Sequence, residues 1–327
     1  MNAKFHRAIA VAGFVAIASS AGAKPPLLGA ALPGGMESVR NIADFESKTG
    51  RHLDIAELPM PWADTRGYLS FGVALPWVRA VADRGVMPML TWEPEIAPNG
   101  AATTTNPLID ACPARFATAD TSSAAIRFVT QYAKDVAVYG KPILLRPMHE
   151  MNIPGWYWSI GPSTACGVIR DADYVAAWRR IVDIFREQRA DNAQFVWCIN
   201  HINLNSATYT STFPGDDYVH YVAIDGYNWG GDKWRSFDQI FAPAYRELAA
   251  ISARPILIAE WASAENGGDK ARWIGDAFSL VASGRYPRIA GLIWFDRNNP
   301  GQPPWPIDSS AGALAAYRAA VARFEPR

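Results

Sequence analysis

Hydrophobic and polar positions along the chain follow two alternating patterns. Short apolar runs rich in Val, Ile and Leu recur between longer stretches whose apolar residues return every three or four positions. The first kind reads as buried strand and the second as amphipathic helix. Strands are predicted over 26–32 and 52–58, with a helix over 35–48 between them. A helix over 76–84 carries Val78, Val81 and Ala82 at helical spacing, is ended by Gly85, and feeds a third strand over 86–92.

A helix over 121–139 leads to the fourth strand, 142–148, and the next helix, 173–189, shows the pattern most clearly. There Val175, Trp178, Ile181, Val182 and Phe185 form one stripe, with Arg and Glu on the other faces. The fifth strand is 194–199, and the sixth, 218–225, opens with the turn Pro214-Gly-Asp-Asp217. Helices over 241–251 and 270–283 flank the seventh strand, 255–259; strand 289–294, a proline-rich loop and a helix over 312–324 close the chain. Eight strands alternating with helices, with no linker or low-complexity block, predict an α/β chain folded as a single (β/α)8 TIM barrel over 24–327.

Composition narrows the setting. A chain of 327 residues, 50% apolar, can bury one large core, and its net charge of zero gives no support to a nucleic-acid partner. Lys4, His6 and Arg7, the apolar stretch from Ala8 to Ala18 and Ala21-Gly-Ala23 have the three parts of a secretory signal. That apolar stretch is shorter than the ~20 residues of a membrane span. The mature chain is therefore expected to start at Lys24, secreted or periplasmic, with no membrane attachment after cleavage, and to work as a monomer. In an oxidising compartment Cys112 and Cys166, both in loops, are expected to pair, leaving Cys198 reduced inside its apolar run.

Candidate chemistry gathers at two strand ends. The run Leu144-Leu-Arg-Pro-Met-His-Glu150 is an apolar strand that ends in a carboxylic acid, and strand alternation puts Arg146, Met148 and Glu150 on one face. Pro255-Ile-Leu-Ile-Ala-Glu260 repeats the design and is followed by Trp261. Catalytic groups of such barrels sit where strands run out into loops. Paired carboxyls suit glycosidic bond cleavage, one protonated to assist the leaving oxygen and one ionised to attack. Thirteen tryptophans exceed what packing asks, so some are expected to face a sugar ring. No metal or cofactor is called for: the cysteine spacings match no zinc pattern, and His149-Glu-Met-Asn-Ile153 lacks a second histidine.

Arg146-Pro-Met-His-Glu-Met-Asn152 with Trp156-Tyr-Trp158 resembles the acid/base segment of glycoside hydrolase family 26. Asp225-Gly-Tyr-Asn-Trp-Gly230 resembles that family's sixth-strand segment, Ile258-Ala-Glu-Trp261 its nucleophile segment, and Thr91-Trp-Glu-Pro94 and Leu292-Ile-Trp-Phe295 its third and eighth strand ends. The resemblance implies a retaining, endo-acting enzyme of the β-mannanase type acting on polysaccharide, with mixed-linkage β-glucan and β-1,3-xylan as the family's other substrates. It casts Glu150 as acid/base, Glu260 as nucleophile, His149 as a substrate neighbour, and Tyr227 as a hydrogen-bond partner of Glu260. Trp294 becomes the platform beneath the sugar, with Trp156, Trp92 and Glu93 as further contacts. Here Ile153-Pro-Gly155 makes the acid/base loop look one residue longer than the family pattern. Arg146 is expected to keep Glu260 ionised, with Trp156 and Trp158 rimming Glu150.

Duller readings accompany each assignment. A strand-end Glu is commonly a surface or capping residue, His149 can be a satisfied core histidine, and Tyr227 a turn residue. A barrel that binds exopolysaccharide without cutting it is the competing class.

Overall fold

The computed structural model describes residues 25–96, 108–163 and 165–324. The signal-peptide expectation and part of the loop after the third strand lie outside them. Eight parallel strands form the barrel: β1 (Leu27–Ala31), β2 (Ile55–Asp64), β3 (Met87–Ile96), β4 (Ile143–Pro147), β5 (Ala193–Asn200), β6 (Tyr221–Asn228), β7 (Ile256–Ser263) and β8 (Ile289–Phe295). Each pairs with its sequence neighbours, and β1 closes the ring by pairing with both β2 and β8.

The outer layer comprises α1 (Val39–Thr49), α2 (Phe71–Ala82), α3 (Ala124–Tyr139), α4 (Asp171–Glu187), α5 (Phe237–Ile251), α6 (Lys270–Ala282) and α7 (Ala311–Val321). Local chemistry sets several ends. Ser123, Ser236, Asp269 and Ser310 each accept a backbone N–H at a helix start, and Gly50 and Gly140 close α1 and α3 in the left-handed conformation. The step from β5 to β6 departs from the alternation, with only Tyr209–Thr212 and a turn of 3-10 helix at Asp216–Tyr218 between them. The sixth strand accordingly starts at Tyr221, not at 218.

Two boundaries differ more. Helix α2 begins at Phe71 and runs through Pro76. Strand β2 continues to Asp64 although it contains Pro59 and Pro61; β1 stops pairing at Glu57, and a strand with one open edge tolerates proline.

Inside the ring the strands build layers. Ile55, Met89, Leu144, Val196, Ala223, Leu257 and Ile293 belong to a buried apolar cluster drawn from the strands alone, apart from the strand–helix core. Two residues further along, Glu57, Thr91, Arg146 and Asp225 form a buried polar layer. Two further still, Pro59, Glu93 and Tyr227 line an open cleft of about 740 Å³ at the carboxyl ends of the strands, joined by Phe295, two residues beyond Ile293. The predicted Cys112–Cys166 disulfide is present, Cα atoms 5.4 Å apart, and ties the chain after β3 to the β4–α4 loop; Cys198 is free and buried. No helix among the described residues is long and apolar enough to cross a membrane.

Candidate active site

Glu150 and Glu260 both line this cleft, and each arrives by a break in strand geometry. Simple alternation does not carry β4 to Glu150. The strand ends at Pro147, Met148 turns into the apolar core, and Met148 and Glu150 adopt positive φ of 46° and 53°. Such values are uncommon for residues with side chains and persist only where surroundings over-determine them. Here the Met148 N–H donates to Trp92 O (3.3 Å) and the Glu150 N–H to Cys198 O (2.9 Å). Tyr174 Oη donates to Met148 O (3.0 Å) and Trp158 Nε1 to His149 O (2.5 Å). On β7 the pairing register shifts between Ile258 and Glu260. That bulge turns both Ala259 and Glu260 inward, while Trp261 packs outward on Phe237, Trp273 and Phe278.

The two acids have opposite surroundings. Arg146 lies fully buried beneath the cleft; its Nη2 donates to Glu260 Oε1 and to Thr91 Oγ1 (2.6 Å), and its Nη1 to both oxygens of Asp225 (3.0 and 2.8 Å). Tyr227 Oη donates to Glu260 Oε2. Burial acts to raise the Glu260 pKa, but the Arg146 guanidinium and the Tyr227 hydroxyl overcome it and hold the carboxyl below its usual value. Burial drives Asp225 upward against the pull of the same arginine. Glu57 lies 3.6 Å from Arg146 and accepts from Thr91 (2.5 Å) and from Arg297 (2.8 Å).

Glu150 is pushed up to about 7, first by burial and then by the charge of Glu260. The Asn200 amide, donating to Glu150 Oε1 at 2.7 Å, pulls the other way. Glu93 also lines the cleft, and burial, followed by the charge of Glu95, drives its pKa well above the usual carboxylate value. His149 is pushed down to about 3 by burial and by Arg146, so the ring is neutral, and its buried Nδ1 has no partner. His149, Asp225 and Glu260 can bring ligand atoms within 4.8 Å of one another, but the cation between those carboxylates is Arg146.

His149, Trp156, Tyr227 and Glu93 therefore reach the cleft with the two acids, and Trp156 lies stacked on Trp158 at 5.1 Å. Two expected contacts do not. Trp92 is fully buried against Trp62, Phe128, Tyr132 and Phe185, because its strand neighbours Thr91 and Glu93 take the inner face. Trp294 is likewise turned outward, onto Trp261 and Tyr317, and Phe295 takes the place assigned to it. Continuing the alternation from Ile293 would have selected Phe295. Asn200, at the end of β5, was also missed; its position at a strand mouth was the available signal.

Trp229, Phe295, Arg297 and Gln302 line the remaining side of the cleft. Trp305 packs beneath it, 5.1 Å from Tyr227 and 5.2 Å from Trp229. Its loop is fastened by the fully buried Lys270 of α6, whose Nζ lies 3.2, 3.2 and 2.9 Å from the carbonyls of Pro304, Trp305 and Pro306 and 2.7 Å from Ser309 Oγ.

A closed parallel barrel whose carboxyl-terminal mouth pairs a carboxyl pushed up in pKa with one held down has the architecture of the barrel glycoside hydrolases. Residues 105–267 match the family model described as glycosyl hydrolase family 26, a span that includes Glu150, Asp225, Tyr227 and Glu260. Over 287 residues, 86% of this chain, it is 39% identical to endoglucanase H of Acetivibrio thermocellus. The chain belongs to glycosyl hydrolase family 26. A second relative, the mannan endo-1,4-β-mannosidase A and B of Caldalkalibacillus mannanilyticus, is 27% identical over 162 residues, 49% of this chain. The chain spans 29% of the length of each of these two relatives. A Bacillus subtilis mannanase structure superposes with a TM-score of 0.62 at 18% identity, covering 90% of this chain and 85% of that one. A Cellulomonas fimi endo-β-1,4-mannanase gives 0.63 at 19%, covering 91% and 71%. At these identities the structural likeness speaks for the fold.

Proposed function

We propose that the protein hydrolyses a β-linked polysaccharide internally, by double displacement and with retention of configuration. The observation that carries this reading is the opposite charge preference of two carboxyl groups in one cleft. Glu260, held ionised by Arg146 and Tyr227, attacks the anomeric carbon. Glu150, protonated up to about pH 7, gives its proton to the departing oxygen, then takes one from the incoming water. Neutral His149 and the Glu93 carboxyl supply hydrogen bonds to sugar hydroxyls, and Trp156, Trp229 and Phe295 supply faces for the rings.

The 39% identical relative is named an endoglucanase, which brings a β-glucan backbone ahead of the β-mannan that the motifs suggest. Mannan stands second, supported by the mannosidase relative. The same reading has residues 1–23 removed on export and a monomeric barrel at work outside the cytoplasm; the Cys112–Cys166 bond suits that compartment. The test is a panel of β-1,4-glucan, mixed-linkage β-glucan, mannan and β-1,3-xylan, with the product anomer followed by NMR. A β-anomer formed first and internal cuts are expected; an α-anomer, or binding without cleavage, overturns the mechanism.

A further inference from the structure

The cleft is unlike on its two sides. Beyond Glu260 it is lined by Tyr227, Trp229, Phe295 and Arg297, aromatic rings edged by polar groups. Near Glu150 three aliphatic side chains, Ile153, Ile202 and Leu204, join Trp156, Asn200 and His201 in the lining. Ile202 is 43% exposed and Leu204 61%, a large apolar display for two residues so close together.

The display is held in place. Asn152, fully buried, donates through Nδ2 to Asn200 O (2.8 Å), Ile202 O (2.7 Å) and Asn203 Oδ1 (2.9 Å). Its Oδ1 accepts from the Asn200 N–H (2.9 Å), and its carbonyl accepts from the Leu204 N–H (2.9 Å). Asn205 Nδ2 donates to Met151 O (2.8 Å). The 200–205 loop is thus fastened to the turn that carries Glu150, and Asn200 in that loop also holds the Glu150 carboxyl. Two aliphatic side chains are kept in water beside the proton donor, on the side where the leaving group departs and the acceptor enters.

We propose that this side of the cleft is a binding site for apolar aglycones, and that the enzyme transfers its glycosyl group to alkyl alcohols in competition with water. The inference rests on the double-displacement reading. In the second half-reaction the alcohol oxygen bonds to the anomeric carbon, and its proton passes to the Glu150 carboxylate. The bond from that carbon to Glu260 breaks, leaving its electron pair on the Glu260 carboxylate, and the product is an alkyl β-glycoside. Ile153, Ile202 and Leu204 bury the alkyl chain, which water and polyols cannot exploit.

The experiment measures the partition of substrate between alkyl glycoside and free sugar, with methanol, ethanol, 1-propanol, 1-butanol or glycerol at equal concentration. Partition reports only the second step, so it is independent of how fast the first runs. It is expected to rise about two- to threefold per added methylene, the gain from burying part of each group, with glycerol near methanol. In an Ile202→Asn/Leu204→Asn variant the rise flattens while methanol transfer persists. A partition independent of chain length, or an unchanged slope in the double variant, overturns the aglycone site and leaves hydrolysis standing. Hydrolysis with no transfer to any of the alcohols overturns the proposal alone, and no hydrolysis at all overturns the function it rests on as well. Sedimentation showing a dimer that this variant dissociates gives the patch another occupant and also overturns the proposal.

Discussion

The ends of β4 and β7 deliver the same functional group into one cleft with opposite charge preference, and the difference lies in what each strand end leaves beneath the acid. At β7 the bulge lowers Glu260 onto Arg146 and Tyr227, so its negative charge is met by a cation and a hydroxyl. At β4 the left-handed turn lifts Glu150 over the strand end, where burial and the neighbouring anion favour the neutral acid. In the sequence both acids stand at the end of an apolar run, Leu144-Leu-Arg-Pro-Met-His-Glu150 and Ile256-Leu-Ile-Ala-Glu260. Depth relative to one arginine separates the carboxyl held toward its ionised form from the one pushed toward its neutral form.

That contrast is broken most severely at the deeper acid. Glu260→Ala is expected to lower polysaccharide hydrolysis by more than about 10⁴-fold while binding in affinity electrophoresis persists. Glu150→Gln should lower kcat/KM by about 10²–10⁴-fold on polysaccharide and by less on aryl glycosides, whose leaving groups need little protonation. Steady-state kinetics on the two substrate types checks this, and equal losses would count against the proton-donor role.

Two milder variants sharpen the contrast through pH. The Tyr227 hydroxyl favours ionised Glu260, so Tyr227→Phe should raise that pKa, move the acid limb of the kcat/KM profile upward and cost about 10–100-fold. The smallest effect is expected at Asn200. Its amide favours ionised Glu150, so Asn200→Ala should move the alkaline limb upward from about pH 7, with less than about a tenfold loss at the optimum. If Tyr227→Phe moved the alkaline limb and Asn200→Ala the acid limb, the assignment of the two acids would be reversed.

The barrel was legible because eight short apolar strand runs alternate with seven helices of period 3.6, the step from β5 to β6 apart. The inner face of β2, β3, β6 and β8 was legible too, by alternation from Ile55, Met89, Ala223 and Ile293. Trp92 and Trp294 were misplaced because residue type was weighed over that alternation, and their neighbours Glu93 and Phe295 hold the inner positions. On β4 and β7 the period itself fails, through positive φ at Met148 and Glu150 and a register shift before Glu260. Neither break has a glycine or other sequence marker at the residue that makes it. The acids were found from their chemistry at strand ends, while the premise that Arg146, Met148 and Glu150 share one face was incorrect.

Lys270 makes one wall of the cleft inseparable from a helix. A single ammonium gathers three successive carbonyls of the loop that carries Gln302 and Trp305, so loop and helix α6 form one unit of exchange. Recombination with a relative that swaps residues 298–309 alone would leave either an ammonium without acceptors or carbonyls without a donor. Grafts that cross over before Asp269 and carry both segments keep the Trp305 support under Tyr227, and with it the seat of Glu260.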